Sequence, residues 1–155
     1  MAISAAATPS GAWLVCRTAT RACALPLADV RETMRLLALD PIAGAPKGVL
    51  GISRIRGEVV PIIHLGALLE EPQTHPRHLV TITLGERMVA LAVDEVVGVR
   101  DIAETALRPL PPVIGGAAGD VLMAIGTRDR ELLLFLETAR LVSHSALATL
   151  HVDPA

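Results

Sequence analysis

The sequence contains almost no aromatic residues. Aromatics account for 1% of its 155 residues, with one Trp, one Phe and no Tyr. Proteins that bind single-stranded nucleic acid stack the bases on aromatic side chains, and the formal net charge of -2 offers no basic surface for phosphates. We therefore expect no nucleic-acid partner. The apolar content of 52% is ample for a packed core, which must be built from Val, Leu, Ile and Ala.

The chain also lacks a charge-free apolar run of the roughly 18 residues that a membrane helix needs. Residues 1–12 have neither the basic start nor the continuous apolar stretch of a signal peptide. We expect a cytoplasmic protein with no direct insertion into a membrane. Residues 1–11 are expected to be disordered.

Cysteine is scarce as well, because Cys16 and Cys23 are the only two in the chain. Two cysteines are too few for a disulfide framework, and no other metal ligands lie near them in the sequence. We expect buried thiols. A disulfide between them is geometrically possible, but the reducing cytosol argues against it.

Catalytic and cofactor motifs are missing. The five histidines lack the acid, base or nucleophile partners of an active site; they are His64, His75, His78, His144 and His151. The spacing of His75 and His78 would allow weak metal chelation, but they lie in a Pro-flanked linker without a third ligand. The Gly-rich stretch 115–119 lacks the Gly-Lys-Ser/Thr ending of a phosphate loop. We therefore predict no enzyme, cofactor or metal site.

A weak internal repeat runs through the chain. Residues 13–30 align without gaps on 79–96, and residues 58–69 align on 131–142 in the same order. The offset drifts from 66 to 73 residues, which is typical of an old duplication with altered loops and not of a solenoid, whose shorter unit recurs more often. The chain is therefore expected to contain two similar lobes.

Each lobe opens with short runs rich in Val, Leu and Ile that are separated by turn residues, as in β-hairpins. Gly85-Glu86 is a hairpin turn, and the alignment makes Ala19-Thr20 the turn of the first hairpin. Symmetry about that turn pairs Arg17 with Ala22 and Cys16 with Cys23. Short strands of this kind predict small β-barrels, which here would share a core at their junction.

Two segments follow the hairpins. Residues 27–34 are expected to form a turn of helix or a third strand, whereas 94–102, with adjacent valines, is more typical of a strand. Residues 70–78 have the composition of a linker. Residues 139–150 suit a C-terminal helix, with Leu141, Val142 and Leu150 available for packing.

Residues 54–58 interrupt an aliphatic stretch with the sequence Arg-Ile-Arg-Gly-Glu. The chain is apolar on both sides, so this segment is interpreted as a hairpin tip in which Gly57 supplies a positive φ. An arginine held between two strands, here Arg56, is well placed to bind a carboxylate or a helix C-terminus of a partner. The alternative is a solvated turn charge paired with Glu58.

Four segments together resemble the CheW-like family of chemotaxis coupling proteins. They are ALPLADVRE (24–32), GAPKGVLGISRIRGEVVPIIHL (44–65), LAVDEVVGV (91–99) and LRPLPP (107–112). The resemblance covers residues 12–142, and its most specific part is Arg-Gly-x-x-Val-Pro, from Arg56 to Pro61. It implies an all-β fold of two intertwined five-stranded Src-homology-3-like barrels with short helices. We assign these barrels to residues 12–70 and 79–142, followed by a partly helical tail, 143–155.

The resemblance also implies a scaffold and not an enzyme. Family members join the cytoplasmic tip of methyl-accepting chemoreceptors to the regulatory domain of a CheA-type histidine kinase, in arrays at the inner membrane that include rings of CheW-like domains. By motif position, the receptor-binding residues would be Val30, Glu32, Gly51, Arg54 and Arg56. The kinase-binding residues would be Val96 and Val99, for which ordinary core packing is the alternative.

Two departures from the family pattern concern the predicted receptor-binding surface, and a third, Glu137 for the usual Asp, is minor. Arg54 replaces the usual Asn of Asn-Leu-Arg-Gly, and His64 replaces the usual Asp after the Val-Pro strand. Both are expected to alter the receptor-binding surface. Two alternatives to a standard chemotaxis adaptor therefore stay open: an adaptor of a chemosensory pathway for surface motility or development, and a structural array component that binds only one of the two partners.

Overall fold

The protein is built almost entirely of strands. A computed structural model describes residues 11–46, 48–72, 75–103, 107–108, 122–128, 131–138 and 141. The strands are β1 (Gly11–Arg17), β2 (Ala22–Pro26), β3 (Val30–Arg35), β4 (Val49–Ile55), β5 (Glu58–His64), β6 (His78–Leu84), β7 (Arg87–Val93), β8 (Glu95–Ile102), β9 (Leu122–Arg128) and β10 (Glu131–Leu136). A 3-10 turn (Leu27–Asp29) follows β2, and a short helix, α1 (Leu65–Leu68), follows β5.

The strands form two five-stranded sheets. The first has the order β8-β1-β2-β10-β9 and the second the order β3-β6-β7-β5-β4. Within each, one pair of strands is parallel and the others are antiparallel. We call them barrel 1 and barrel 2, and the predicted all-β fold of two intertwined five-stranded barrels is confirmed. No helix in the described residues is long and apolar enough to cross a membrane.

The barrels do not follow the two halves of the chain. Barrel 2 consists of the consecutive strands β3 to β7, whereas barrel 1 combines β1 and β2 with β8, β9 and β10. Each predicted half, 12–70 and 79–142, therefore contributes strands to both barrels: β1, β2 and β8 to β10 belong to barrel 1, and the others to barrel 2. The physical reason is an exchange of hairpins: β1–β2 pairs with strands of the second repeat, and β6–β7 pairs with strands of the first. The chain crosses between the barrels at residues 27–29 and at Asp94.

The sequence alignment of the repeats agrees with the observed pairing residue by residue. Phe135 pairs with Ala24 in barrel 1, and their aligned counterparts, Ile62 and Ala90, pair in barrel 2. The predicted pairing of Cys16 with Cys23 is also observed. Bulges recur at aligned positions as well: Arg31 and Val97 at an offset of 66 residues, and Leu50 and Met123 at an offset of 73. The two barrels are therefore built on the same strand plan, with aligned positions in equivalent places.

Buried side chains form three clusters. One fills barrel 1 around Trp13 and Phe135, whose rings meet edge to face at 4.9 Å between centroids. Another fills barrel 2 around Ile62. The largest lies between the barrels and contains side chains of both, including Leu25 and Leu91, which confirms the predicted shared core. Burial of this apolar surface is the main stabilising contribution to the fold.

The segments outside the strands partly match expectation. Residues 27–34 form both a 3-10 turn and the start of a strand, and 94–102 is largely strand, as predicted. Leu141 is fully buried in the central cluster, and its N–H donates to the carbonyl of Glu137 at 3.1 Å. The rest of the predicted C-terminal helix, and the tail 143–155, lie outside the described residues. So does the expected disordered N-terminus, except for Gly11, which begins β1.

Candidate interaction surfaces

The hairpin tip between β4 and β5 has the predicted geometry. Ile55 pairs with Glu58, which leaves Arg56 and Gly57 as a two-residue turn. Both turn residues have positive φ, 50° and 81°. Two-residue hairpin turns of this kind match the twist of their strands, and glycine adopts the second conformation without strain. The turn therefore projects the Arg56 side chain from the end of barrel 2.

Arg56 forms a two-point ion pair with Glu32 of β3. Its Nε lies 2.7 Å from Oε1 and its Nη2 lies 2.9 Å from Oε2. Because β3 and β4 are the two edge strands of the sheet, the pair links one edge strand to the turn that follows the other. The alternative interpretation, in which Arg56 pairs with Glu58, is therefore not observed. The hydrogen bonds lower the pKa of Glu32 and raise that of Arg56, so both groups are charged at neutral pH.

The ion pair remains open to solvent. The side chain of Arg56 is 73% exposed and that of Glu32 is 30% exposed. Solvent-exposed pairs contribute little to stability, so this pair is available for recognition at small cost to the fold. Arg54, two residues before Arg56, is exposed on β4 and has no polar partner within the described residues. Val30 lies two residues before Glu32 on β3 and packs partly against the central core.

Gly51 belongs to the same strand as Arg54 but is buried. It has a φ of 149°, and a Cβ atom there would lie 2.5 Å from the carbonyl oxygen of Asp40. Asp40 and Ile52 exchange two backbone hydrogen bonds of 2.9 Å, which hold the segment before Asp40 against β4. Gly51 therefore permits close packing of backbone on backbone, and it presents no side chain to a partner.

The two predicted kinase-binding valines lie on β8, an edge strand of barrel 1. Val96 pairs with Cys16 and packs partly against the central core. Val99 is 49% exposed, and Val97, at the bulge, is 37% exposed. Val96 therefore fits the alternative of core packing in part, whereas Val99 lies on the surface. The predicted receptor-binding residues all belong to barrel 2 and the predicted kinase-binding residues to barrel 1.

The two departures from the family pattern have different positions. Arg54 is exposed on β4, two residues before Arg56, and adds a positive charge to the exposed surface of barrel 2. His64 is 5% exposed, and its backbone N–H donates to the carbonyl of Gly48 at 2.7 Å. The expectation that His64 alters the exposed surface is therefore wrong. Burial lowers the pKa of its imidazole, against the opposing effects of Asp94 and Glu71.

Sequence reasoning missed a second two-point ion pair, on barrel 1. Arg17 at the end of β1 and Glu131 at the start of β10 form two hydrogen bonds of 2.6 Å. These bonds lower the pKa of Glu131 and raise that of Arg17. The two residues are 114 positions apart. The parallel pairing of β10 with β2 brings them together, and no local sequence signal marks that pairing.

A further missed contact ties the two barrels together at the β1–β2 turn. Glu71, which follows α1 of barrel 2, accepts hydrogen bonds from the hydroxyls of Thr18 and Thr20 and, at 2.6 Å, from the backbone N–H of Thr20. Within the described residues, no three His, Cys, Asp or Glu side chains are placed to hold a metal ion.

Comparison with known proteins assigns this arrangement to a family. A model of the CheW-like domain matches residues 12–146, which is most of the chain. The chain belongs to the CheW-like domain family. Two curated relatives support the assignment. The chain is 30% identical to protein FrzA of Myxococcus xanthus over 150 residues, covering 90% of this chain and 93% of FrzA.

The second relative is the chemotaxis protein CheW of Klebsiella aerogenes. It is 28% identical over 110 residues, which cover 69% of this chain and 66% of that protein. Among solved structures, the scaffolding protein TtCheW of Thermoanaerobacter tengcongensis has a TM-score of 0.73 with this CheW-like chain at 21% identity. The match covers 84% of this chain and 90% of that one. The fold of the CheW-like chain is therefore that of TtCheW.

Proposed function

We propose that this CheW-like protein is a cytoplasmic adaptor that couples the cytoplasmic tips of chemoreceptors to the regulatory domain of a CheA-type histidine kinase. The observation that carries the proposal is the placement of the two residue sets on different barrels. The charged set around Arg56 lies on barrel 2, and Val99 lies on the edge strand β8 of barrel 1. Two separate surfaces allow both partners to be bound at once. In this function the protein holds its two partners in a fixed position and catalyses no reaction.

The receptor surface consists of the exposed residues around the β4–β5 turn. Arg56 and Glu32 form an oriented pair of charges, and Arg54 adds a further cation next to them. A charged pair at a rim selects the partner and its orientation more than it adds affinity. Gly51 contributes indirectly, because it allows the segment around Asp40 to pack against β4. Val30 supplies apolar surface beside Glu32.

The kinase surface consists of the outer edge of β8. Exposed valines at 97 and 99 provide apolar area, and burying such area contributes about 25 cal/mol per Å². An edge strand also offers backbone groups to a partner strand. Val96 supports this edge from the core side, where it packs on the cluster between the barrels. The kinase partner would therefore be held mainly by apolar contact.

The test compares two single variants in separate titrations against a receptor tip and a kinase regulatory domain. Arg56→Asp is expected to weaken receptor binding by more than about tenfold and to leave kinase binding unchanged. Val99→Asp is expected to do the reverse. Matched controls are Arg21→Asp, an exposed arginine in the β1–β2 turn, and Leu132→Asp, an apolar residue 42% exposed on β10.

Thermal melting of every variant separates loss of binding from loss of fold. If a folded wild-type protein binds neither partner, the adaptor function is wrong. Binding to only one partner would make the protein a structural array component. If Arg56→Asp binds the receptor tip as wild type does, the receptor surface lies elsewhere.

A second candidate function is an adaptor of a non-standard chemosensory pathway, such as one for surface motility or development. The observation that favours it is the similarity to FrzA over nearly the whole of both chains, together with the exposed Arg54 where the family pattern has Asn. Titration of receptor tips from each pathway of the source organism decides between the two. Arg54→Asn is expected to shift the preference toward standard chemotaxis receptors.

A further inference from the structure

A cavity of about 440 Å³ opens at the end of barrel 1 where β1 ends and β2 and β10 begin. Its walls combine apolar side chains from the barrel interior with charged side chains at the opening. The lining residues are Val15, Arg17, Ala22, Val97, Arg100, Glu131 and Leu133. Its volume lies within the range of about 300 to 1,000 Å³ that is usual for small-molecule sites.

The internal repeat allows this end of barrel 1 to be compared with the equivalent end of barrel 2. Ala22 and Arg100 correspond, at an offset of 66 residues, to Met88 and Met34 of barrel 2. The strand register is the same at both places, because Arg100 pairs with Trp13 as Met34 pairs with Leu79. In barrel 2 both methionines pack against the interior cluster. At these two lining positions, barrel 1 therefore has a small and a charged side chain where barrel 2 has methionines that pack against its interior.

The charges at the opening are unequal. Both terminal nitrogens of Arg17 donate to the carboxylate of Glu131, so these two charges neutralise each other. Arg100 donates from Nη1 to the backbone carbonyl of Val99 at 2.8 Å, and within the described residues it pairs with no carboxylate. The absence of a side chain at Gly98 makes room for it, since a Cβ there would lie 3.0 Å from Nη1. Among the described residues, the Arg100 guanidinium at this opening thus has no carboxylate paired with it.

We propose that this opening of barrel 1 binds a small apolar monocarboxylate. The hydrocarbon part would contact Val15, Ala22 and Leu133, and the carboxylate would pair with Arg100. Arginine presents two parallel N–H donors to a carboxylate, a geometry that neutral head groups cannot use. This site is separate from the Arg56–Glu32 pair, which belongs to the other barrel.

Octanoate is the probe, and the fluorescence of Trp13 is the readout. Trp13 is the only tryptophan of the chain and the register partner of Arg100. Octanol and octylammonium test the head group. Ala22→Met fills the cavity with the residue that barrel 2 has at the equivalent position, Met88. Arg100→Met removes the cation and likewise introduces the residue of barrel 2, Met34. Arg21→Met, in the β1–β2 turn, is the matched control for loss of an exposed arginine.

The full-length wild-type protein is expected to bind octanoate saturably, and octylammonium at least about tenfold more weakly. Ala22→Met is expected to weaken octanoate binding by at least about tenfold, and Arg100→Met to weaken octanoate but not octanol. Thermal melting verifies folding, and Ala22→Leu replaces Ala22→Met if the latter does not fold. No saturable binding to the wild type, or unchanged octanoate binding by a folded Ala22 variant, overturns the site. Equal binding of octanol and octanoate overturns the role of Arg100.

Discussion

Replacing Gly51 by alanine tests whether this residue maintains the fold or contacts a partner. A non-glycine residue at a φ of 149° costs about 1–3 kcal/mol. The new Cβ would also lie 2.5 Å from the carbonyl oxygen of Asp40, so that backbone must move. Moving it breaks the two hydrogen bonds between Asp40 and Ile52, each contributing about 1 kcal/mol. The expected total loss of stability is about 3–5 kcal/mol.

A loss of this size is a large part of the stability of a small domain. Thermal unfolding followed by circular dichroism should show Tm lowered by about 10 °C. Gly57→Ala is the matched control, because Gly57 also has positive φ but a Cβ there would meet no atom within 4 Å. It is expected to cost only about 1 kcal/mol. A Gly51→Ala protein with wild-type Tm but without receptor binding would refute the structural role and make Gly51 a contact residue.

Two further predictions concern buried titratable groups. Burial lowers the pKa of His64 below its unfolded value of 6.5, so the unfolded state binds the proton more readily and stability should fall as pH drops below about 6.5. Urea midpoints at about pH 7.5 and 5.5 measure this, and His64→Gln should reduce the difference; an unchanged difference contradicts the assignment. Burial also raises the pKa of the Cys16 thiol to about 12. Burial likewise raises the pKa of the Cys23 thiol. Both thiols should therefore resist a disulfide reagent in the native protein and react in denaturant, and rapid reaction of the native protein would contradict their burial.

Local features of the fold were predictable because they depend on neighbouring residues. The pairing of Cys16 with Cys23 follows from the symmetry of one hairpin, and the positive φ of Gly57 follows from its place in a tight turn. The repeat alignment agrees with the observed strand pairing, because aligned strands carry the same pattern of inward and outward side chains. These predictions needed no knowledge of distant contacts.

Distant pairing was not predictable from the same patterns. The hairpins β1–β2 and β6–β7 have similar apolar patterns, so each could pair with the later strands of either repeat. The sequence offers no signal for the exchange that the structure contains. The same limit applies to the candidate site: Glu32 and Arg56 were both assigned from the family motif, but their mutual ion pair depends on the approach of β3 to the β4–β5 turn. Local proximity had favoured Glu58 instead.

The exchange of hairpins bears on how one small scaffold could hold two partners in a fixed relation. The chain passes from barrel 1 to barrel 2 within the three residues 27–29, and it returns at Asp94. Near the first crossing, the hydroxyl of Thr138 donates to the carboxylate of Asp29 at 2.6 Å, and near the second, the N–H of Asp94 donates to the carbonyl of Arg17 at 2.9 Å. Because the central cluster also contains side chains of both barrels, moving one barrel relative to the other would expose buried apolar surface. If a partner bound to barrel 2 moved that barrel, barrel 1 and any partner bound to it would therefore move with it as one body.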